Sequence, residues 1–178
     1  MRIIRCCACL LLLASPAVAR GQSFLLQGSA GPTLNDRGLS VAAGAGFSPN
    51  PRLSLLVDIE RTQLFSRSSS DGHGGLSAFR GGTLTLVSPQ LRLALRASAD
   101  VGPYGLIGFA AGVSRPTVND TFPDSVTHAV GALFFGGGLN VPLSESITVI
   151  ADVRMTIGAE AGELLAVVPL RGGIAWRF

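Results

Sequence analysis

The chain has 178 residues, of which 47% are hydrophobic and only 14% are charged. Ordinary soluble domains carry about 25% charged residues, so this composition argues against a protein with a fully solvated surface. The length suffices for one domain with its own core. Without residues 1–19, which carry two arginines and no acid, 12 basic and 11 acidic side chains are left. That balance excludes the basic footprint of a nucleic-acid-binding protein.

The first 19 residues, MRIIRCCACLLLLASPAVA, have the organisation of a secretory signal peptide. Two arginines are followed by an apolar run, a proline and a small-residue AVA cleavage site. The run is too short for a spanning helix, which needs about 20 apolar residues. We predict cleavage after Ala19, with cleavage after Gly21 as the alternative, and a mature domain over 20–178. All three cysteines lie in the leader, so we expect no disulfide and no thiol chemistry in the mature chain.

The mature part contains eight stretches with the length of a membrane β-strand, roughly 9–11 residues or somewhat more. Seven of them alternate apolar with small or polar residues, which is the period of a strand. In the fourth stretch, Leu84 and Leu86 have the opposite parity to the later leucines, which predicts a bulge near Pro89. The fifth stretch is apolar or glycine on both faces, so its register stays open. The predicted strands are 23–31, 39–47, 52–62, 82–96, 102–114, 130–142, 147–157 and 164–178.

The connections between these stretches alternate between long and short. Such a meander with an even number of strands is the plan of an outer-membrane barrel, whose external loops are long and whose periplasmic turns are short. We therefore assign as external the long connections 32–38, 63–81 and 115–129, together with the shorter 158–163. The tight turns are 48–51, 97–101 and 143–146.

Alternation alone does not tell whether the apolar face meets lipid or the core of a soluble barrel. Two observations favour lipid. The other face is made of glycine, alanine, serine and few charges, which is too poor for a solvated exterior. The aromatic residues fall near strand ends, as in the girdles of membrane barrels. One girdle would contain Phe24, Phe47, Tyr104, Trp176 and Phe178, and the other Phe79 and Phe135.

The chain ends on GGIAWRF, a strand with alternate apolar residues and a terminal phenylalanine. An exported, cysteine-free chain of about 160 residues with eight such strands resembles the small outer-membrane β-barrels of the OmpA transmembrane-domain and OmpX type. The resemblance covers 20–178. It implies an all-β fold, an eight-stranded antiparallel up-and-down transmembrane β-barrel in the outer membrane. It also implies a terminal signal read by the barrel-assembly machinery and formed by Ile174, Trp176 and Phe178.

The charged residues of the strands are predicted to face the lumen, because an arginine facing lipid at the midplane costs about 2–4 kcal/mol. One interpretation is a salt-bridge network that fills a narrow barrel. The other is a charged conduction path, with weak anion preference from five arginines against three acids. The predicted lumen residues are Asp58, Glu60, Arg92, Arg96, Asp152, Arg154, Arg171 and Arg177.

Catalysis would need a nucleophile or water beside a base. The two histidines, His73 and His128, are assigned to external loops, and neither is placed on a strand beside a serine. We therefore predict no catalytic residue, no cofactor and no metal site.

Three functions stay open at this level. The first is a structural or interaction barrel that contacts something outside through 63–81 and 115–129. The second is a small porin-like channel, and the third a lipid-modifying enzyme. The expected partners are outer-membrane lipid and the barrel-assembly machinery, with no nucleic acid, a monomeric state and an unidentified external ligand.

Overall fold

The computed structural model describes residues 23–34, 37–65, 67–70, 76–79, 81–95, 101–117, 126–160 and 163–178. All regular structure in these ranges is β. No described residue belongs to a helix long and apolar enough to cross a membrane. The strands are β1 Ser23–Pro32, β2 Gly38–Asn50, β3 Leu53–Leu64, β4 Arg67–Ser70, β5 Leu76–Phe79, β6 Gly82–Ala94, β7 Gly102–Pro116, β8 His128–Pro142, β9 Ile147–Glu160, β10 Glu163–Val167 and β11 Leu170–Arg177.

The main sheet closes into an antiparallel barrel with eight strand positions. We call each position a stave, because two strands, β10 and β11, together fill one of them. Neighbours run in the order β1, β2, β3, β6, β7, β8, β9, and a last stave made of β10 and β11. β11 pairs with β1, with Gly28 opposite Ile174, so the last strand closes the barrel against the first. Closure leaves no sheet edge unpaired, which a membrane barrel requires. The predicted eight-stranded antiparallel barrel is confirmed.

The last stave is divided, whereas one continuous strand over 164–178 was predicted. β10 and β11 both pair with β9, and the division falls at Pro169. Proline has no N–H to donate to the ladder, which explains the interruption. The Pro169 carbonyl still accepts a bond from the Arg154 N–H at 3.2 Å, so the stave stays attached to β9.

The two ends of the barrel differ. The turn end carries Ser23, Phe178 and the connections 51–52, 95–101 and 143–146. The loop end carries the connections 33–37, 65–81, 117–127 and 161–162. Strands β4 and β5 lie within 65–81 and form a separate two-stranded sheet. Parts of the two predicted contact loops, residues 66, 71–75, 80 and 118–125, lie outside the described residues, and His73 is among them.

The predicted bulge near Pro89 is wrong. The register between β3 and β6 runs without a shift from Leu53 opposite Leu93 to Leu64 opposite Gly82. Leu84 and Leu86 point into the barrel with the same parity as Arg92, because that part of the lumen is itself apolar. A register shift occurs instead between β2 and β3, at Phe47 to Asn50.

The outer face of the barrel is an apolar belt with aromatic residues at the turn end. Phe24 and Phe47 lie with ring centroids 5.7 Å apart, and Trp176 stacks on Phe178 at 5.1 Å. Tyr104 does not join this girdle, because it points inward and is buried. Phe135 is exposed, as predicted, but lies at the middle of β8 and not near its loop end. The side chain of Phe79 lies outside the described part.

Candidate functional site

Six buried charged side chains from four strands meet in the lumen, and we call them the ionic cluster. All six have at most 5% of their surface exposed. Three are positive and three negative, so the cluster is neutral when every group is ionised. Its members are Asp58, Glu60, Arg92, Asp152, Arg154 and Arg171.

Glu60 of β3 lies at the centre of the cluster. Its Oε2 lies 2.9 Å from Arg154 Nη2 and 3.4 Å from Arg171 Nη1. Its Oε1 accepts hydrogen bonds from the hydroxyls of Ser40 at 2.9 Å and Thr62 at 3.1 Å. One carboxylate thus serves two guanidinium groups and two hydroxyls, as a buried charge needs several polar partners.

Asp152 of β9 is held by the strand beside it. Arg171 is its register partner on β11 and donates from Nη2 at 2.9 Å and from Nε at 3.2 Å. The Tyr104 hydroxyl reaches over Gly138 of β8 and donates to Asp152 Oδ2 at 3.3 Å. This carboxylate therefore links β7, β9 and β11.

Asp58 of β3 is held mainly by amides. Gln27 Nε2 donates to Oδ1 and Gln90 Nε2 to Oδ2, each at 2.7 Å. Arg154 Nη2 lies 3.8 Å from Oδ2, a weak ion pair. The Gln27 carbonyl oxygen accepts from Arg92 Nη2 at 2.9 Å, which joins Arg92 to the same network.

Two of the guanidinium groups also lie over aromatic rings. Arg92 is 4.5 Å from the ring centroid of Tyr104, and Arg154 is 4.7 Å from that of Phe134. Such cation–π contacts contribute more when both groups are removed from water. Glycines make room for both rings, because an added Cβ at Gly108 would lie 2.5 Å from Phe134 and one at Gly138 2.7 Å from Tyr104.

Apolar side chains fill the lumen on both sides of the ionic cluster. Towards the turn end, a small group of buried apolar residues consists of Leu25, Leu56, Ile150 and Ala175. A larger group begins beside the cluster with Tyr104, Leu106 and Phe134. It continues on the loop-end side with Leu84, Leu86, Ala110, Val130, Ala132 and Val167. The interior is thus layered, with charge between two apolar groups, and an eight-stranded barrel is just wide enough for side chains to fill it.

A few buried polar atoms have no partner within the described part of the chain. They include Ser88 Oγ, Gln90 Oε1, Arg92 Nε and Arg154 Nη1. The Arg154 to Glu60 contact has ion-pair distance without hydrogen-bond alignment. Arg92 has no carboxylate within ion-pair distance among the described residues, and its charge is met by Gln27 and Tyr104.

Two of the predicted lumen residues are not in this cluster. Arg177 is the last residue of β11, where its side chain is exposed at the turn end and not packed in the lumen. Alternation predicts that Arg177 points inward, but a side chain at the end of a strand can extend into water. Arg96 lies outside the described residues. Among the described residues, the buried cluster holds three arginines and three acids.

Uncharged members of the network were not singled out from the sequence. Gln27, Gln90, Ser40 and Thr62 all occupy inward positions of their strands, and that parity is the signal that could have found them. Tyr104 is predicted in the turn-end girdle, and its inward direction could not be found because β7 is apolar or glycine on both sides, which leaves its register open.

The placement of His128 in a loop is wrong. It is the first residue of β8 and the register partner of Ser114 on β7, and both side chains are partly buried. No hydrogen bond joins the two side chains. Within the described ranges, no group of three or more histidine, cysteine, aspartate or glutamate residues could hold a metal ion.

No protein-family model and no curated protein sequence matches the chain. Solved structures do match it. The Neisserial surface protein A has 14% identity and a TM-score of 0.69, covering 89% of this chain and 100% of that one. The N-terminal β-barrel domain of Pseudomonas aeruginosa OprF has 13% identity and a TM-score of 0.64, covering 88% and 97%.

The attachment invasion locus protein Ail of Yersinia pestis, in complex with the heparin analogue sucrose octasulfate, is also similar. It has 17% identity and a TM-score of 0.55, with 90% of this chain and 100% of that chain covered. At such identities the similarity concerns the fold. With the closed sheet and the apolar outer belt, it shows that the chain has the fold of the small eight-stranded outer-membrane β-barrels.

Proposed function

We propose that the protein is an integral outer-membrane β-barrel without enzymatic activity, exported with residues 1–19 as a cleaved leader. Its role is structural, or consists of an interaction made at the loop end, which faces the cell exterior. The layered lumen carries this proposal. Charged residues that are at most 5% exposed lie between two apolar groups, so side chains fill the described interior and the function is assigned to the surface.

The outer face supports the membrane assignment. Large apolar side chains on it are exposed, such as Leu133 at 70% and Ile174 at 57%. A contiguous belt of this kind is unfavourable in water and marks a surface covered by another apolar phase. Lipid of the outer membrane is the partner that fits a belt running round the described strands.

The interaction role rests on the loop end. Connections 63–81 and 115–129 are the proposed contact surface, and β4 and β5 form a separate sheet within the first of them. Two similar barrels are named as a surface protein and an attachment invasion locus protein, which agrees with a role in contacts outside the cell. The ligand is an external molecule of unidentified class.

Assembly is proposed to depend on the end of β11. Ile174, Trp176 and Phe178 are all exposed on the outer face, where a second protein can reach them. Phe178 donates its N–H to the Phe24 carbonyl at 3.0 Å, so it also completes the seam between the last and first strands. The barrel-assembly machinery is the proposed reader, and the assembled protein is proposed to be a monomer.

The test combines fractionation with cysteine labelling in whole cells. The only cysteines belong to the proposed leader, so a single new cysteine can be labelled without background. Val126→Cys places it at the loop end and Glu145→Cys at the turn end, both at exposed positions. We expect outer-membrane fractionation of both variants, with a membrane-impermeant maleimide labelling residue 126 in intact cells and residue 145 only after lysis. Recovery from the soluble periplasm, or the reverse labelling pattern, would overturn the proposal.

A small channel is the second candidate. The observation that favours it is the set of unpartnered buried polar atoms on β6 and β9, from Ser88 to Arg154. Buried polar atoms usually form hydrogen bonds with protein or water, so we expect water to bind to these atoms in the middle of the lumen. Conductance in a planar bilayer distinguishes the two functions.

A further inference from the structure

The outer face of the barrel carries a polar area on β3, β6 and β7, close to the loop end. We call it the rim patch. Its side chains alternate with inward residues such as Glu60, Leu84 and Leu86 and therefore point away from the lumen. The two arginines are exposed and the other members partly so. The rim patch consists of Arg61, Gln63, Thr83, Thr85 and Arg115.

The strand register brings these residues side by side. Arg61 is opposite Thr85, and Thr83 lies between Gln63 on one side and Arg115 on the other. Side chains directly opposite one another have Cβ atoms about 4.5–5.5 Å apart. Thr83 Oγ1 donates to Gln63 Oε1 at 2.7 Å, which holds the centre of the patch. Two guanidinium groups thus stand on either side of two threonine hydroxyls.

The rim patch is basic. In the described ranges, no carboxylate lies within ion-pair distance of Arg61 or Arg115. An outward arginine costs about 2–4 kcal/mol at the membrane midplane but about 0–1 near the interface. The two arginines are therefore tolerated at headgroup level, where an anion can neutralise them.

Apolar side chains continue the same three strands below the patch. Ile59, Val87 and Val113 each occupy the next outward position towards the turn end, and all are exposed. A molecule neutralised at the patch would therefore have hydrocarbon contacts directly beneath it. The outward surface at the turn end is different, because it has aromatic residues where the loop end has arginines.

We propose that the rim patch binds the phosphate group of an anionic lipid in the leaflet at the loop end, with the acyl chains lying along Ile59, Val87 and Val113. Guanidinium groups suit this ligand because they form paired, charge-assisted bonds to phosphate oxygens. The Thr85 hydroxyl supplies a further donor, whereas that of Thr83 already donates to Gln63. The continuous apolar surface below the patch selects a lipid over a free phosphate ion. The inference rests on the proposed membrane function and adds a lipid class to it.

The experiment titrates refolded mature protein in neutral detergent with bisphosphorylated lipid A and measures bound lipid by native mass spectrometry. A basic residue near an anionic surface contributes about fivefold to affinity. We expect Arg61→Gln and Arg115→Gln each to weaken binding about fivefold and the double variant about thirtyfold. Arg61→Lys should retain part of the affinity. The matched control is Arg52→Gln, an exposed arginine at the turn end, which should bind as the unaltered protein does.

Two further probes test the source of the phosphate. Dephosphorylated lipid A should bind with little sensitivity to Arg61→Gln, and an excess of inorganic phosphate should not displace the intact lipid. Equal binding by the double variant and the unaltered protein, or full displacement by inorganic phosphate, would overturn the proposal. Heat-modifiable gel mobility of each variant shows separately whether the barrel has formed, so loss of lipid binding is distinguishable from failure of the membrane fold.

Discussion

Removing the charge of Glu60 should destabilise the barrel strongly, although the change is nearly isosteric. Glu60→Gln leaves Arg154 without its 2.9 Å carboxylate contact and Arg171 without one of its two partners. The buried cluster then has three positive and two negative groups. Breaking a buried pair from one side typically costs about 3–5 kcal/mol, since a desolvated charge is left uncompensated.

The same reasoning predicts that adding Arg154→Met to Glu60→Gln restores part of the lost free energy of unfolding. Arg154→Met alone leaves two arginines against three carboxylates and should cost a similar amount. In the double variant the remaining charges are balanced, with Arg171 still bonded to Asp152 and Asp58 to its two amides. We expect the double variant to lose less than either single variant, by about 1–3 kcal/mol.

The assay is reversible urea unfolding of the refolded protein in lipid vesicles, followed by the fluorescence of Trp176 and by heat-modifiable mobility. Glu145→Gln, at an exposed turn position, is the control and should change the free energy of unfolding by less than about 0.5 kcal/mol. Additive losses in the double variant, or a single-variant loss below about 1 kcal/mol, would refute the view that these groups act as one balanced buried cluster.

Two further predictions concern packing and assembly. Gly138→Ala should lower the free energy of unfolding by about 1–3 kcal/mol, since the new methyl group would lie 2.7 Å from Tyr104; Gly105→Ala, with nothing within 4 Å, should be close to neutral in the same urea titration. Deleting Phe178 should reduce insertion into the outer membrane while export continues, because the exposed terminal ring and its bond to Phe24 are lost. Fractionation of cells measures this, and normal insertion of the shortened chain would contradict the role given to that residue.

The strands could be predicted from sequence because the lipid face is uniformly apolar. Residues such as Leu55, Val57 and Ile59 keep a strict period of two, and the outer face repeats it in seven of the eight predicted stretches. Where the lumen is also apolar, the alternation of apolar and polar residues no longer indicates which side chains face inward. Leu84 and Leu86 face inward, so their change of parity reflected a change in the polarity of the lumen and not a bulge.

The inward direction of the charged side chains could be predicted from the sequence, but their contacts could not. Alternation points Glu60 and Arg171 inward, but they are 111 residues apart and meet only because β11 closes on β1. Tyr104 could not be assigned, since β7 offers apolar residues and glycine on both faces. The pairing of His128 with Ser114 likewise depends on how far β8 extends beyond its predicted start at residue 130.

The most direct test of the central claim is single-channel recording in planar bilayers with the refolded mature protein. A folded barrel, verified by heat-modifiable mobility, should show no conductance steps, because the ionic cluster is enclosed between two apolar groups. Steady conductance steps whose size changes when Arg92 or Arg154 is replaced would contradict the account and identify the protein as a channel.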